Sequence, residues 1–139
     1  MSEIESLLPH REPFLFVDEI IETSNERIVA KRLFSEKEYF FKGHFPEYPV
    51  VPGVILVETM AQSGGAGLRK LGVLGDDALF FFATVDKVKF RRQVRPGDEV
   101  RCEIENLRVS PKMIKQRGKA YVGDEVAAEA EWMCLVGSK

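Results

Sequence analysis

The sequence predicts an α+β fold in which a curved antiparallel sheet wraps around one long helix. Three observations lead there. A helical pattern runs from Gly53 to Leu71, opened by Pro52 and followed by Gly72. Segments with strand character lie on both sides of it, two before and four after. The run of strands after the helix favours antiparallel pairing, and a helix apolar on nearly every side is buried if that sheet curls around it.

Each element has its own signal. Residues 4–8 suit a short helix that Pro9 stops. Phe14-Leu15-Phe16-Val17 starts a strand expected to reach Glu22, and Thr23-Ser24-Asn25 reads as a turn. Over residues 27–34, Ile28, Ala30 and Arg32 alternate with Val29, Lys31 and Leu33, as in a second strand. Gly64, Gly65 and Gly67 lie inside the long helix, where each costs about 1 kcal/mol relative to alanine. Either something bulky approaches the helix backbone there, or the helix frays at Gly64. The last four strands are expected at 79–90, 99–109, 114–122 and 126–136. Pro96-Gly97-Asp98 and Gly123-Asp124 mark two of the turns between them.

Composition bounds the function. The 139 residues are 45% hydrophobic and 30% charged, enough for one globular domain over 1–139 with a sizeable core. No apolar run approaches a membrane span. The opening Met1-Ser2-Glu3-Ile4-Glu5 is acidic and lacks an apolar signal region, so a cytoplasmic protein is expected. Cys102 and Cys134 sit in no metal-binding spacing, only two histidines exist, and two reduced core thiols are expected. Net charge is −2, which with no reader motif argues against nucleic acid. Between Asp86 and Lys119, however, eleven Lys/Arg face five Asp/Glu, whereas the remainder holds nine against seventeen. That asymmetry predicts a basic face.

The stretch Gly43-His44-Phe45-Pro46-Glu47-Tyr48-Pro49-Val50-Val51-Pro52-Gly53 carries the chemistry. Three prolines and two glycines stiffen a loop around one histidine. The helix that follows carries Glu58, about 7.5 Å along its axis from Gly53. Apolar flanks on Glu58 disfavour the charged carboxylate. A fixed imidazole and a desolvated carboxyl group make a candidate acid–base pair. On spacing alone His44 can equally be a structural histidine in a turn. Gln62 stands one turn beyond Glu58 on the same face, placed to orient the carboxyl group or to be a satisfied buried amide.

These motifs resemble those of the (3R)-hydroxyacyl-[acyl-carrier-protein] dehydratases of bacterial type II fatty acid synthesis. Leu8-Pro9-His10-Arg11-Glu12-Pro13-Phe14-Leu15-Phe16-Val17-Asp18 is similar to the family's opening signature. The His44 loop, Glu58-Thr59-Met60-Ala61-Gln62 and Phe90-Arg91-Arg92-Gln93-Val94-Arg95-Pro96-Gly97-Asp98 match its later motifs. Departures are small: Thr59 replaces a usual alanine, Val51 a common methionine, and Thr84 a smaller residue, which would narrow an acyl pocket. Isomerising relatives resemble this chain with aspartate in place of Glu58.

The resemblance implies a hot-dog fold and a homodimer with two composite sites, often arranged as a trimer of dimers. It implies His44 as base, acting with Glu58 of the other subunit as acid, and no metal or redox cofactor. The Val50 carbonyl would hold the second nitrogen of His44. The Gly53 N–H at the helix start would bind the thioester oxygen, although glycine after proline is also an ordinary turn. Phe80-Phe81-Phe82 would pack one face on the helix and offer the other to an acyl tunnel or a dimer contact. His10 is expected to be structural. Acyl carrier protein, which is acidic, is the expected partner of the basic face, with Lys89, Arg91, Arg92, Arg95, Lys112, Lys115 and Arg117 as steering candidates. Three other readings stand beside this one: a polyketide or aryl-polyene dehydratase would share the residues, the match in the His44 loop argues against an acyl thioesterase, and the His44/Glu58 pair argues against a non-catalytic acyl-binding domain.

Overall fold

The computed structural model describes residues 2–138. Its elements follow in the order α1 (Glu3–Leu7), β1 (Glu19–Thr23), β2 (Arg27–Leu33), a short 3-10 turn (Tyr39–Lys42), α2 (Gly53–Leu71), β3 (Ala78–Phe90), β4 (Glu99–Val109), β5 (Met113–Val122) and β6 (Glu125–Ser138). The six strands form one antiparallel sheet in the order β1-β2-β4-β5-β6-β3. α2 packs against the sheet's inner face, touching β1, β2, β4, β5 and β6.

The strand expected from Phe14 begins only at Glu19. Residues 14–18 alternate poorly, and their backbone is claimed by other groups. Gln62 of α2 bonds both the Phe14 carbonyl and the Phe16 N–H, and Phe16 turns into the core. The segment is therefore an extended strap across α2.

The inner residues of each strand build the core. Val100, Cys102 and Ile104 of β4, Ile114 and Ala120 of β5, and Trp132 and Cys134 of β6 are all buried. Full burial of a large apolar side chain contributes about 1.5–3 kcal/mol. Exposed ion pairs contribute about 0–1 kcal/mol. The charged ladder on the sheet's outer face is thus secondary to this core.

The α2 glycines mark close approaches, and the helix does not fray. A side chain at Gly64 would collide with Gln116, and one at Gly65 with the ring of Phe80. Gln116 is fully buried. Its amide nitrogen donates to the Gly64 carbonyl at 3.3 Å and to Asn106 Oδ1 at 2.8 Å, while its oxygen accepts from Trp132 Nε1 at 3.1 Å. The helix ends at Gly72, whose φ of 90° closes the last turn onto Leu68 and Arg69.

Burial of α2 is not complete at its start. Val54 is 74% exposed, and Glu58, one turn on, is only partly buried. An opening therefore runs along one side of the first turns. β3 is the other open region. It is an edge strand of 13 residues, exposed from Phe81 through Phe90, and Phe81, Phe82, Val85, Val88 and Phe90 all face solvent in the single chain. A long apolar edge is a surface that needs a partner.

Candidate active site

The histidine loop is positioned by the turn before it. The His44 N–H donates to the Phe40 carbonyl at 2.9 Å. Phe45 then takes φ = 57°, a left-handed conformation rare for a bulky residue. Its ring lies tilted against the imidazole with centroids 4.4 Å apart. Val51 N donates to the Val94 carbonyl at 2.8 Å, tying the end of the loop to the segment before β4.

Val50 sits where the sequence analysis expected it. His44 Nδ1 lies 2.9 Å from the Val50 carbonyl oxygen. A carbonyl only accepts, so Nδ1 carries the proton and Nε2 is left with a free lone pair. The imidazole is partly exposed, with its basic nitrogen uncommitted among the described residues.

Glu58 is held from behind. Gln62 Nε2 donates to its Oε2 at 2.8 Å. Gln62 is fully buried, and its own oxygen accepts from Phe16 N at 2.8 Å. These bonds fix the amide orientation, and with it the carboxyl group. The Glu58 side chain keeps 19% of its surface exposed, less enclosed than its apolar flanks imply, because the opening beside Val54 reaches it. Oε1 has no hydrogen-bond partner among the described residues.

Gly53 opens α2 with no side-chain cap, and among the described residues its N–H is a free donor at the positive end of the helix. Phe90 covers the Cα: a Cβ there would lie 2.8 Å from the ring. A larger residue at this position would have to displace the exposed Phe90 ring. Nearby, Arg95 lies over the Tyr48 ring at 3.9 Å, and Tyr48 donates to Gln93 at 2.8 Å.

His10, expected to be structural, lies beside this carboxyl group. Its Nε2 stands 3.6 Å from Glu58 Oε2. No local spacing signals a contact between residues this far apart. Burial pushes the His10 imidazole below its ordinary pKa, and the nearby Glu58 partly opposes that shift. The two cysteines are free and buried, with both thiols pushed up to about 12 chiefly by burial. Among the described residues no cluster of metal-ligating side chains occurs, and no helix is long and apolar enough to cross a membrane.

His44 and Glu58 are not hydrogen-bond or ion-pair partners within the chain: the first is held by Val50, the second by Gln62 and His10. A groove of about 650 Å³ lies elsewhere, among the charged residues of β4, β5 and β6, and contains neither of them. The basic face is also more neutral than the sequence suggests. Arg91 pairs with Glu129, Arg92 with Glu125 and Arg117 with Glu105. Antiparallel register sets Glu105 directly opposite Arg117, and Arg91 and Arg92, just past the end of β3, reach acids of β6. Arg95, Lys112 and Lys115 make no ion pair among the described residues.

A curved sheet around one helix, presenting an oriented imidazole and an oriented carboxyl group, defines a hot-dog domain equipped for acid–base chemistry. The chain belongs to the FabA-like family, whose domain model matches residues 8–131. It is 44% identical over 140 residues to the 3-hydroxyacyl-[acyl-carrier-protein] dehydratase FabZ of Desulforamulus reducens, covering 100% of this chain and 98% of the relative. The protein of the same name from Pelotomaculum thermopropionicum is 44% identical over 137 residues, covering 98% of this chain and 97% of the relative. The fold is similar to that in the dehydratase heterocomplex ApeI:P from Xenorhabdus doucetiae, with a TM-score of 0.83 and 18% identity over 100% of this chain and 93% of that one.

Proposed function

We propose that this chain is a hydro-lyase that converts (3R)-3-hydroxyacyl-[acyl-carrier-protein] to trans-2-enoyl-[acyl-carrier-protein] in fatty acid biosynthesis, as a cytoplasmic enzyme. The observation that carries the mechanism is the complementary state of the two site residues. His44 is fixed with a free lone pair on Nε2, and Glu58 is fixed with a free Oε1.

His44 Nε2 removes a proton from C2 of the substrate. The C2–H electrons flow towards the thioester carbonyl, and negative charge grows on its oxygen. The Gly53 N–H, at the start of α2, is the donor aimed at that charge. Glu58 delivers its proton to the C3 hydroxyl, the C3–O bond breaks, and C2 and C3 become doubly bonded. Water leaves, and His44 returns its proton to Glu58 through solvent. Only an acid and a base are required, so the reaction needs no metal or redox cofactor.

His44 and Glu58 do not meet within one chain, and β3 leaves an apolar edge open. Both features fit a homodimer that pairs β3 with β3, so that His44 of one protomer works with the Glu58 of its partner. The Phe80-Phe81-Phe82 edge then becomes a shared wall for the acyl chain. Acyl carrier protein is the macromolecular partner, and Arg95, Lys112 and Lys115 offer it unpaired positive charge.

Mass spectrometry of the purified protein with 3-hydroxyacyl-[acyl-carrier-protein] substrates tests this reading. Loss of one water per acyl chain is expected. Release of free acid would identify a thioesterase, and an unchanged substrate would identify a binding domain.

A further inference from the structure

We propose that His10 is a positioning residue for Glu58: its Nε2–H faces Glu58 Oε2 and stabilises the charge that grows there as the acid gives up its proton. This rests on Glu58 being the acid.

Packing, not hydrogen bonding, fixes the His10 ring. It lies against Phe80 with centroids 5.7 Å apart. Arg11 clamps the adjoining backbone through the Leu8 and His10 carbonyls, at 2.8 and 2.6 Å. Nδ1 is buried with no partner, while Nε2 points towards Glu58 at 3.6 Å. A buried N–H without an acceptor is rarer and costlier than a buried acceptor left alone. The ring therefore keeps its proton on Nε2, aimed at the carboxyl group.

Oε2 thus faces two nitrogen donors, Gln62 at 2.8 Å and His10 at 3.6 Å, while Oε1 faces none among the described residues. The asymmetry turns Oε1 towards the reacting hydroxyl and loads the charge-stabilising groups on the far oxygen. At 3.6 Å the His10 contact is longer than a hydrogen bond. It is placed to shorten when Oε2 gains charge.

Neutrality of His10 matters. An imidazolium here would hold Glu58 as a carboxylate and remove the acid. Burial favours the neutral ring. The charged or titratable groups near the pair are few. Glu58 faces the ring from α2, Phe80 of β3 carries no charge, and Arg11 is turned onto backbone carbonyls. Cys134 of β6 also senses the Glu58 charge.

Two measurements decide the matter. Imidazole 15N spectra of the intact protein should show His10 as the neutral Nε2–H form at pH 7. They should also show its titration moving to lower pH in Glu58→Gln, which removes the only opposing influence. The Nδ1–H form, or a titration unmoved by Glu58→Gln, would overturn the proposal even if His10 variants failed to fold. In kinetics, His10→Phe should lower kcat about tenfold with KM changed less than about twofold. His10→Gln, which keeps a donor near the Nε2 position, should recover most of that loss. Unchanged kcat in His10→Phe, or equal damage in both variants with raised KM, would contradict it. A wild-type protein with no dehydration would count against the proposed function, and the spectra would still report on the contact.

Discussion

Gln62 and Gln116 are both fully buried and both bond to groups of α2, yet they serve different ends of the helix. Around Gln116 the polar groups close on one another: Gly64 carbonyl, Asn106 and Trp132 take up both ends of the amide. Around Gln62 the network does not close. It is anchored by the strap residues Phe14 and Phe16 and ends on a carboxyl group whose other oxygen is open. A sealed network secures packing. One with a single unsatisfied terminus aims a reactive group, and the aim is only as good as the bonds behind it.

The largest expected effect lies at the base, outside both networks. His44→Ala should lower kcat/KM by about 10²–10⁴-fold while the thermal unfolding midpoint stays near that of the wild type. A folded variant with near wild-type turnover would remove His44 as the base.

The two glutamines then separate stability from activity. Gln116→Leu should destabilise the protein by about 1–3 kcal/mol, because Trp132 Nε1 and the Gly64 carbonyl lose their partner, with kcat per folded molecule unchanged. Gln62→Leu should also weaken the fold, through Phe16, but in addition lower kcat about tenfold. Chemical denaturation and steady-state kinetics on the same samples distinguish them. Equal kinetic damage in both would erase the contrast between sealed and open networks.

A smaller effect concerns docking. Arg95→Glu should raise KM for an acyl-[acyl-carrier-protein] substrate several-fold at low salt, and less at high salt. Arg91→Glu should do less, since Arg91 is already engaged with Glu129. An acyl-pantetheine mimic should be indifferent to both. Equal loss with the mimic would indicate general damage.

The smallest effect is in acid. The His10 pKa is lowered in the folded chain, so the unfolded chain binds the extra proton first. That contribution to stability is present above about pH 6.5, the unfolded value, and is lost as pH falls through the folded one. Between pH 7 and 5 the wild type should therefore lose more stability than His10→Gln. Parallel curves would mean that His10 titrates alike in both states.

Much of this was legible in the chain. Pro52 and Gly72 bracket α2 at its observed ends, and the alternation in β5 places Ile114, Gln116, Gly118 and Ala120 inward. The pairing of His44 with the Val50 carbonyl is local, six residues apart, and the resemblance carried it. What stayed hidden was nonlocal. Phe14 to Val17 has the composition of a strand, but Gln62, far along the chain, bonds its backbone and keeps it out of the sheet. The approach of His10 to Glu58 is likewise nonlocal. The basic surplus between Asp86 and Lys119 overstated the surface charge, because β6 supplies Glu125 and Glu129 from outside that window.

The proposed site joins an aimed imidazole and an aimed carboxyl group, unpaired with each other within each chain, across a dimer. Heterodimers of a His44→Ala chain with a Glu58→Gln chain, each inactive alone, test it most directly. A shared site puts both lesions in one centre and leaves the other intact, so activity should return to about half of wild type per dimer. Verified heterodimers with no recovered activity would contradict the account.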